Sequence, residues 1–363
     1  MSVMKQARAG SVPRSIPSSR IEPSLHSSKQ KSLALPSDRV LQIARRRLNE
    51  FVSLETKVLK GDDPKAIHDI RVASRRLQQV LDLLFPSPRP PKIRKHRRTL
   101  QRSRTVLSDV RNCDVLLDRV EKALGRKRTS RREAWSAFRD YLKLRRERSY
   151  RKGSRRLSRL NLAAFYIRLK ETLKLPLPLR SGPPSDHGGS PAGKEDELLR
   201  LRVHEALRET WASLETCGAQ AKEAPSAAGL HAVRIAAKKV RYLIEVIHQL
   251  DVPGSDLALS SLRHLQQHLG DWHDLEVLEE MMLEMVARSG ILQDRLKLAM
   301  DVERLVLRNR RGKKSYEKKF FEMIADSAQW RKLTDWVEDF LAADHLPKNV
   351  SEAHSAILPP PTG

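Results

Sequence analysis

His68, Arg71 and Arg75 stand at i, i+3 and i+7. On a helix that spacing lines them along one face, beside an apolar stripe of Ile67, Ile70, Leu77, Val80, Leu81 and Leu84. Like charges one turn apart destabilise a helix by about 0.2–0.5 kcal/mol per pair, so an aligned cationic row is costly unless an anion sits on it. The pattern returns at an offset of 163: His231, Arg234 and Lys238 repeat His68, Arg71 and Arg75, and Lys239 repeats the base at Arg76. Arg241 extends the second row. These are the side chains phosphate recognition uses. Arg offers a planar bidentate fork, Lys a point charge, and His a donor that becomes cationic beside an anion. A single such stripe reads most simply as a solvated basic face, whereas two with the histidine and spacing kept point to a phosphate-rich groove lined by both copies.

Other bases follow the same duplication. Arg145, Arg148 and Arg155 align with Arg308, Arg311 and Lys318 at offset 163. Leu107, Asp109, Arg111, Asn112, Asp114 and Val115 align with Leu269, Asp271, His273, Asp274, Glu276 and Val277 at offset 162. The carboxylates Asp109, Asp114, Asp271 and Asp274 are expected near helix starts, capping or pairing with Arg111 and nearby bases. His68-Asp69 and His273-Asp274 raise metal-dependent phosphohydrolysis as a weaker reading. Adjacent helical residues diverge by about 100°, no HxxxH set supplies further ligands, and the surrounding bases repel a divalent cation. No Gly-rich phosphate loop or nucleophile elbow occurs, so no catalytic residue, metal or cofactor is assigned.

The elements that must carry these rows are helices. Helical periodicity runs from Ser37-Asp38, read as an N-cap, to about Lys60, and Pro64 opens the His68 helix, which stops at Phe85-Pro86. A very basic helix, Lys92 to Leu107, carries Arg98 and Arg102. An amphipathic segment to Leu124 follows, then long patterns over 130–160 and to about Leu173. Pro176–Gly193 reads as a Pro/Gly/Ser linker. Beyond it the periodicity predicts helices over 195–217, from His231 to Leu250, to Leu269 (with Arg263), from Gly270 to about Ala287, from Ile291 to Ile324, and from Ala328 to Ala342. No stretch shows sustained strand alternation, so the fold class is all-α. It is expected to form two tandem helical-bundle repeats, 37–179 and 194–346, related by an approximate two-fold around a basic central cavity. The linker is placed at 180–193, with disordered tails at 1–36 and 347–363.

The 363-residue chain has a formal net charge of +26, which implies a polyanionic partner. Residues 37–179 hold 39 Lys+Arg against 15 Asp+Glu, while 194–346 hold 23 against 26, so the second half keeps its bases at selected positions. Non-specific nucleic-acid binding is the alternative, and the cluster Arg126-Lys127-Arg128 with Arg131-Arg132 suits phosphate contacts. Against it, aromatic residues make up 5% and none is interleaved with the bases as a stacking platform. Two cysteines, Cys113 and Cys217, fit a reducing compartment, and no apolar run reaches the roughly 20 residues of a membrane span. A cytoplasmic location is therefore expected. The Ser-, Arg- and Pro-rich first 36 residues share a composition with organellar transit peptides, but Pro13, Pro17 and Pro23 interrupt the helix one needs.

At these residues the chain resembles the CHAD domain, the histidine α-helical domain family, over roughly 37–346. His68, Arg71, Val72, Arg75 and Arg76 match its opening pattern, His then Arg-Val-x-x-base-base. His231, Arg234, Ile235, Lys238, Lys239, Arg241, Tyr242 and Glu245 match its second-repeat form. Leu262-Arg263-His264-Leu265-Gln266 with Leu269-Gly270, and Leu107, Arg111, Asp114 and Val115, match two further segments, with Ser108 where the family prefers Gly and Asn112 where it prefers Asp. The resemblance implies two four-helix-type bundles around a basic cavity that binds inorganic polyphosphate, often in association with polyphosphate granules; it does not imply an enzymatic reaction, and none is expected. Arg76, Arg98, Arg102, Arg111, Arg263 and the aligned bases Arg145, Arg148, Arg155, Arg308, Arg311 and Lys318 join the two motif rows as expected polyphosphate ligands. The family is sometimes fused to a triphosphate tunnel domain, for which this chain has no strand-rich segment.

Overall fold

A computed structural model describes residues 36–61, 63–127, 129–174, 191–288 and 295–342. The expected tails, apart from Pro36, lie outside the described residues, as does 180–190 of the expected linker. Among the described residues there are eleven helices: α1 (Pro36–Leu59), α2 (Pro64–Leu84), α3 (Pro91–Val106), α4 (Ser108–Leu124), α5 (Arg132–Ser158), α6 (Leu162–Thr172), α7 (Pro191–Glu223), α8 (Ala227–His248), α9 (Ser255–Ala287), α10 (Leu296–Asp326) and α11 (Ala328–Ala342). None is long and apolar enough to cross a membrane.

Local chemistry accounts for the helix that matters most. Asp63 caps α2, its carboxylate accepting from the Lys65 amide at 2.8 Å, and Pro64 takes the first position, where no N–H is needed. Ile67, Ile70, Leu77, Val80, Leu81 and Leu84 are then buried along one stripe, each contributing about 1.5–3 kcal/mol of apolar transfer free energy. In α8, Ser226 caps through the Gly229 amide at 3.1 Å, and Leu230, Val233, Ala237, Val240 and Ile244 form the corresponding stripe.

The helices follow the duplication in order. Adding 163 to the bounds of α2 gives 227 and 247, and α8 runs Ala227–His248; α5 similarly falls on α10. The halves nevertheless share their cores. One apolar cluster takes side chains from α1–α3 and α7–α9, and a smaller one joins Phe138, Leu142 and Leu116 to Leu278, Met281 and Val302. The α2–α8 and α4–α9 contacts bring the halves together at the middle.

Several boundaries differ from expectation. Ser37 and Asp38 do not cap α1, which starts at Pro36; the Ser37 amide instead donates to Asp196 Oδ1 of α7 at 3.0 Å. The helix expected over 195–217 extends over 191–223, so the last three residues of the expected linker are helical. The helix expected from Ile291 starts at Leu296, after Arg295, and 289–294 lie outside the described residues. The break expected at Gly270 is absent: α9 runs through it, because a helix interior tolerates Gly when packing elsewhere holds the turn, and Leu269 and Trp272 are buried on either side. In the first half the equivalent helix is interrupted at Leu107, between α3 and α4.

Candidate anion-binding site

Where α2 and α4 meet α8 and α9, the structure forms a half-open cavity of about 1020 Å³. His68, Arg71, Arg75, Arg111, Arg234, Lys238, Arg241 and Arg263 all line it. A second space of about 430 Å³ adjoins it and receives His231. Arg71, Arg75, Asn112, Arg234, Lys238, Tyr242 and His273 line both. The two motif rows thus meet at one hollow.

Each base is set by its helix. Arg71 donates through Nη1 to the Arg104 carbonyl and, at 2.9 Å, to Ser108 Oγ, and Ser108 in turn donates to the same carbonyl at 3.0 Å. The serine that stands where the resembled family prefers Gly therefore props the Arg71 guanidinium across the α3–α4 junction. Arg241 is gripped at two points: Nε donates to Glu245 Oε1 at 3.1 Å and Nη1 to Gln266 Oε1 at 2.7 Å, while Gln266 Nε2 donates to the Ala237 carbonyl at 2.7 Å. Arg234 Nε is buried with no hydrogen-bond partner.

The electrostatics follow from crowding like charges away from water. Burial, with Arg75, Arg104, Arg111 and Arg234 nearby, lowers Arg71 to about 10, so it stays protonated at neutral pH. Burial and Arg75 bring Arg104 to about 10. Burial also lowers Arg234. Lys238, buried and facing Arg234, Arg75, Arg71 and Arg241, falls to about 6. His273 falls to about 3 through burial and Arg234, and its ring lies 5.6 Å from that of His231, which is also lowered by burial and by Arg234. His68 is lowered by burial and Arg111.

What the cavity lacks is matching negative charge at these bases. Among the described residues, Arg71, Arg75, Arg111, Arg234, Lys238 and Arg263 make no ion pair. Elsewhere several half-buried bases are matched: Arg310 to Glu279 at 2.7 Å, Lys313 to Glu276 and to Glu279 at 2.5 and 2.7 Å, Arg97 to Asp82 at 2.5 Å. Carboxylates do line the α4 and α9 walls. Asp114 holds Arg146 at 2.6 Å, and Asp271 accepts from Gln267 at 2.9 Å. Asp274 is raised by burial. Asp271 and Asp274 lie within α9, not at a helix start as expected, because that helix is continuous.

The remaining expected ligands sit elsewhere. Arg76 turns from the hollow to the buried Glu245 carboxylate at 2.7 Å. Arg145 is taken by Glu284 and by Tyr141 Oη at 3.1 Å. Arg98, Arg102, Arg148, Arg155 and Arg311 are exposed on α3, α5 and α10 and line neither space of the hollow. Lys318 is exposed beside Glu322 at 3.9 Å. Arg308 lines a different cavity. Conversely, Arg104 lines the smaller space and donates to Gln78 at 2.7 Å. The signal for it was its place beside the apolar stripe of α3, one turn after Leu100 and three residues before Leu107. Among the described residues no group of three His, Cys, Asp or Glu could hold a metal ion.

A family model described as CHAD domain matches residues 42–283. The crystal structure of the CHAD domain from the plant Ricinus communis is similar, with a TM-score of 0.53 at 21% identity, covering 87% of this chain and 94% of that one. PptA from Streptomyces chartreusis superposes with a TM-score of 0.56 at 16% identity, over 82% of this chain and 100% of that one. No protein of curated function matches.

Proposed function

The chain belongs to the CHAD domain family, and from that premise we propose that its central hollow binds inorganic polyphosphate, with targeting to polyphosphate granules as the cellular consequence. The family is associated with polyphosphate binding. One observation carries the reading for this chain: Arg71, Arg234 and Lys238, from both halves, are drawn out of water together at one cavity and have no carboxylate partner. Uncompensated buried charge is costly, and a dense linear polyanion relieves it through several charge-assisted hydrogen bonds at once. The larger space stands at the top of the range of small-molecule pockets and the smaller adjoins it, which suits a polymer better than a compact ligand. Release of condensed counterions, stated for nucleic acids and extended here by analogy, adds to the affinity.

The reading contains no chemical step, and phosphate release from a polyphosphate substrate would count against it. Non-specific nucleic-acid binding is the rival class. In the test, labelled long-chain polyphosphate is bound to the protein and competed with RNA across a salt series. The proposal expects polyphosphate to be held against a molar phosphate excess of RNA, with affinity falling steeply as salt rises; displacement by RNA at equal phosphate overturns it.

A further inference from the structure

A third cavity, of about 670 Å³, belongs to neither motif row. Asp118, Asp271 and Asp274 line both it and the central hollow, but its other walls are of a different kind. Trp135 from the first turn of α5 and Tyr316 of α10 are half-buried rings packed on the smaller core, and Leu275, Leu278 and Leu305 continue the apolar surface. Arg119, Arg126 and Arg308 reach the same space and make no ion pair among the described residues. Asn309 is only 7% exposed; its Nδ2 donates to the Leu275 carbonyl at 2.8 Å, and its Oδ1 is buried in the lining with no hydrogen-bond partner. An acceptor so placed costs about 1–3 kcal/mol until a donor reaches it.

We propose that this cavity takes a nucleoside phosphate. The base lies on the Trp135 and Tyr316 side, Asn309 Oδ1 accepts from a ring N–H or exocyclic amine, and Arg119, Arg126 and Arg308 meet the phosphates. Ribose hydroxyls donate to the carboxylate wall. A bare polyphosphate segment uses neither the rings nor the open acceptor and has no hydroxyl to give the carboxylate wall; a nucleotide uses all three features. The volume is that of an ordinary ligand pocket. The assignment stands apart from the polyphosphate reading, since it uses other bases.

The test titrates ATP, adenosine and tripolyphosphate into the full chain by calorimetry, with the helical spectrum and melting point of each variant checked first. ATP is expected to bind more tightly than adenosine or tripolyphosphate. Trp135→Leu should lower ATP affinity about tenfold and spare tripolyphosphate, Arg308→Glu should lower ATP affinity by a similar factor, and Arg234→Glu should change it less than about threefold while weakening polyphosphate. Three outcomes overturn the proposal: no ATP binding, ATP binding indifferent to Trp135→Leu and Arg308→Glu, or ATP binding abolished by Arg234→Glu, which would place the nucleotide in the central hollow. If polyphosphate binding fails while ATP binding keeps its dependence on Trp135, only the earlier reading falls.

Discussion

Arg76 Nε on α2 lies 2.7 Å from Glu245 Oε2 on α8, and Arg76 Nη2 lies 3.3 Å from Oε1, so a two-point ion pair joins the halves. The same carboxylate accepts from Arg241, whose other end grips Gln266 in the cavity wall. Glu245 is buried, and removing it leaves two guanidiniums uncompensated. Glu245→Gln should destabilise the fold by about 3 kcal/mol. Urea unfolding followed by circular dichroism reads this directly, and a wild-type midpoint would show that the pair contributes little.

Charge reversal separates the hollow from the outer faces. Arg234→Glu should weaken polyphosphate at least tenfold, since a hydrogen bond to a charged group contributes about 1.5–3 kcal/mol and each 1.4 kcal/mol is a factor of ten. Arg71→Glu should do the same, with some loss of stability because Arg71 also holds the Arg104 carbonyl and Ser108. Arg98→Glu and Arg155→Glu, on exposed faces, should cost less than about threefold and act through long-range attraction that salt screens. Equal losses in all four would mean the polymer coats the surface instead of entering the hollow.

Gly153 of α5 is a second, purely steric test. A Cβ there would stand 2.6 Å from the Val106 carbonyl oxygen, where α5 crosses the end of α3. Backbone cannot swing aside as a side chain can, so Gly153→Ala should destabilise by about 1–3 kcal/mol. Gly270→Ala meets nothing within 4 Å and should be neutral or mildly stabilising, Ala being the better helix former. The melting point of Gly153→Ala should fall while that of Gly270→Ala holds or rises.

How much of this was legible depended on whether the determining partner was near in sequence. Periodicity placed Ile67, Ile70 and Leu77 in the core and His68, Arg71 and Arg75 on the neighbouring face because helix geometry alone fixes that relation. The repeat then told which second row to look for. Arg76 could not be sorted from Arg75 by spacing, because its direction is decided by Glu245, 169 residues away. The rows of α5 and α10 were read as ligand faces since like spacing recurs there, yet Arg145 pairs with Glu284, Arg308 lines another cavity and Arg148, Arg155 and Arg311 are exposed; nothing local to Arg148 or Arg311 says which side of a long helix the other half will cover. Gly270 shows the reverse error: glycine suggested a break that tertiary packing overrides.

Lys238 supplies the last prediction, and its sign can be worked through. Its ammonium sits among Arg71, Arg75, Arg234 and Arg241 and falls to about 6 when the hollow is empty, against an ordinary 10.5. Between those values the unfolded chain holds a proton that the folded chain lacks, so the stability of the empty protein rises with pH across this window and levels off below about 6. A bound polyanion reverses the balance by stabilising the protonated form. Binding should therefore take up close to one proton at pH 8, and affinity should fall as pH rises from about 6 toward 10. His231 and His68, both held below their ordinary value, add further uptake in the acid limb. Calorimetry at pH 8 in two buffers of different ionisation enthalpy measures the uptake, and Lys238→Met should abolish it while leaving the acid limb. If wild-type binding heats are the same in both buffers, Lys238 takes up no proton on binding and is already charged in the empty hollow.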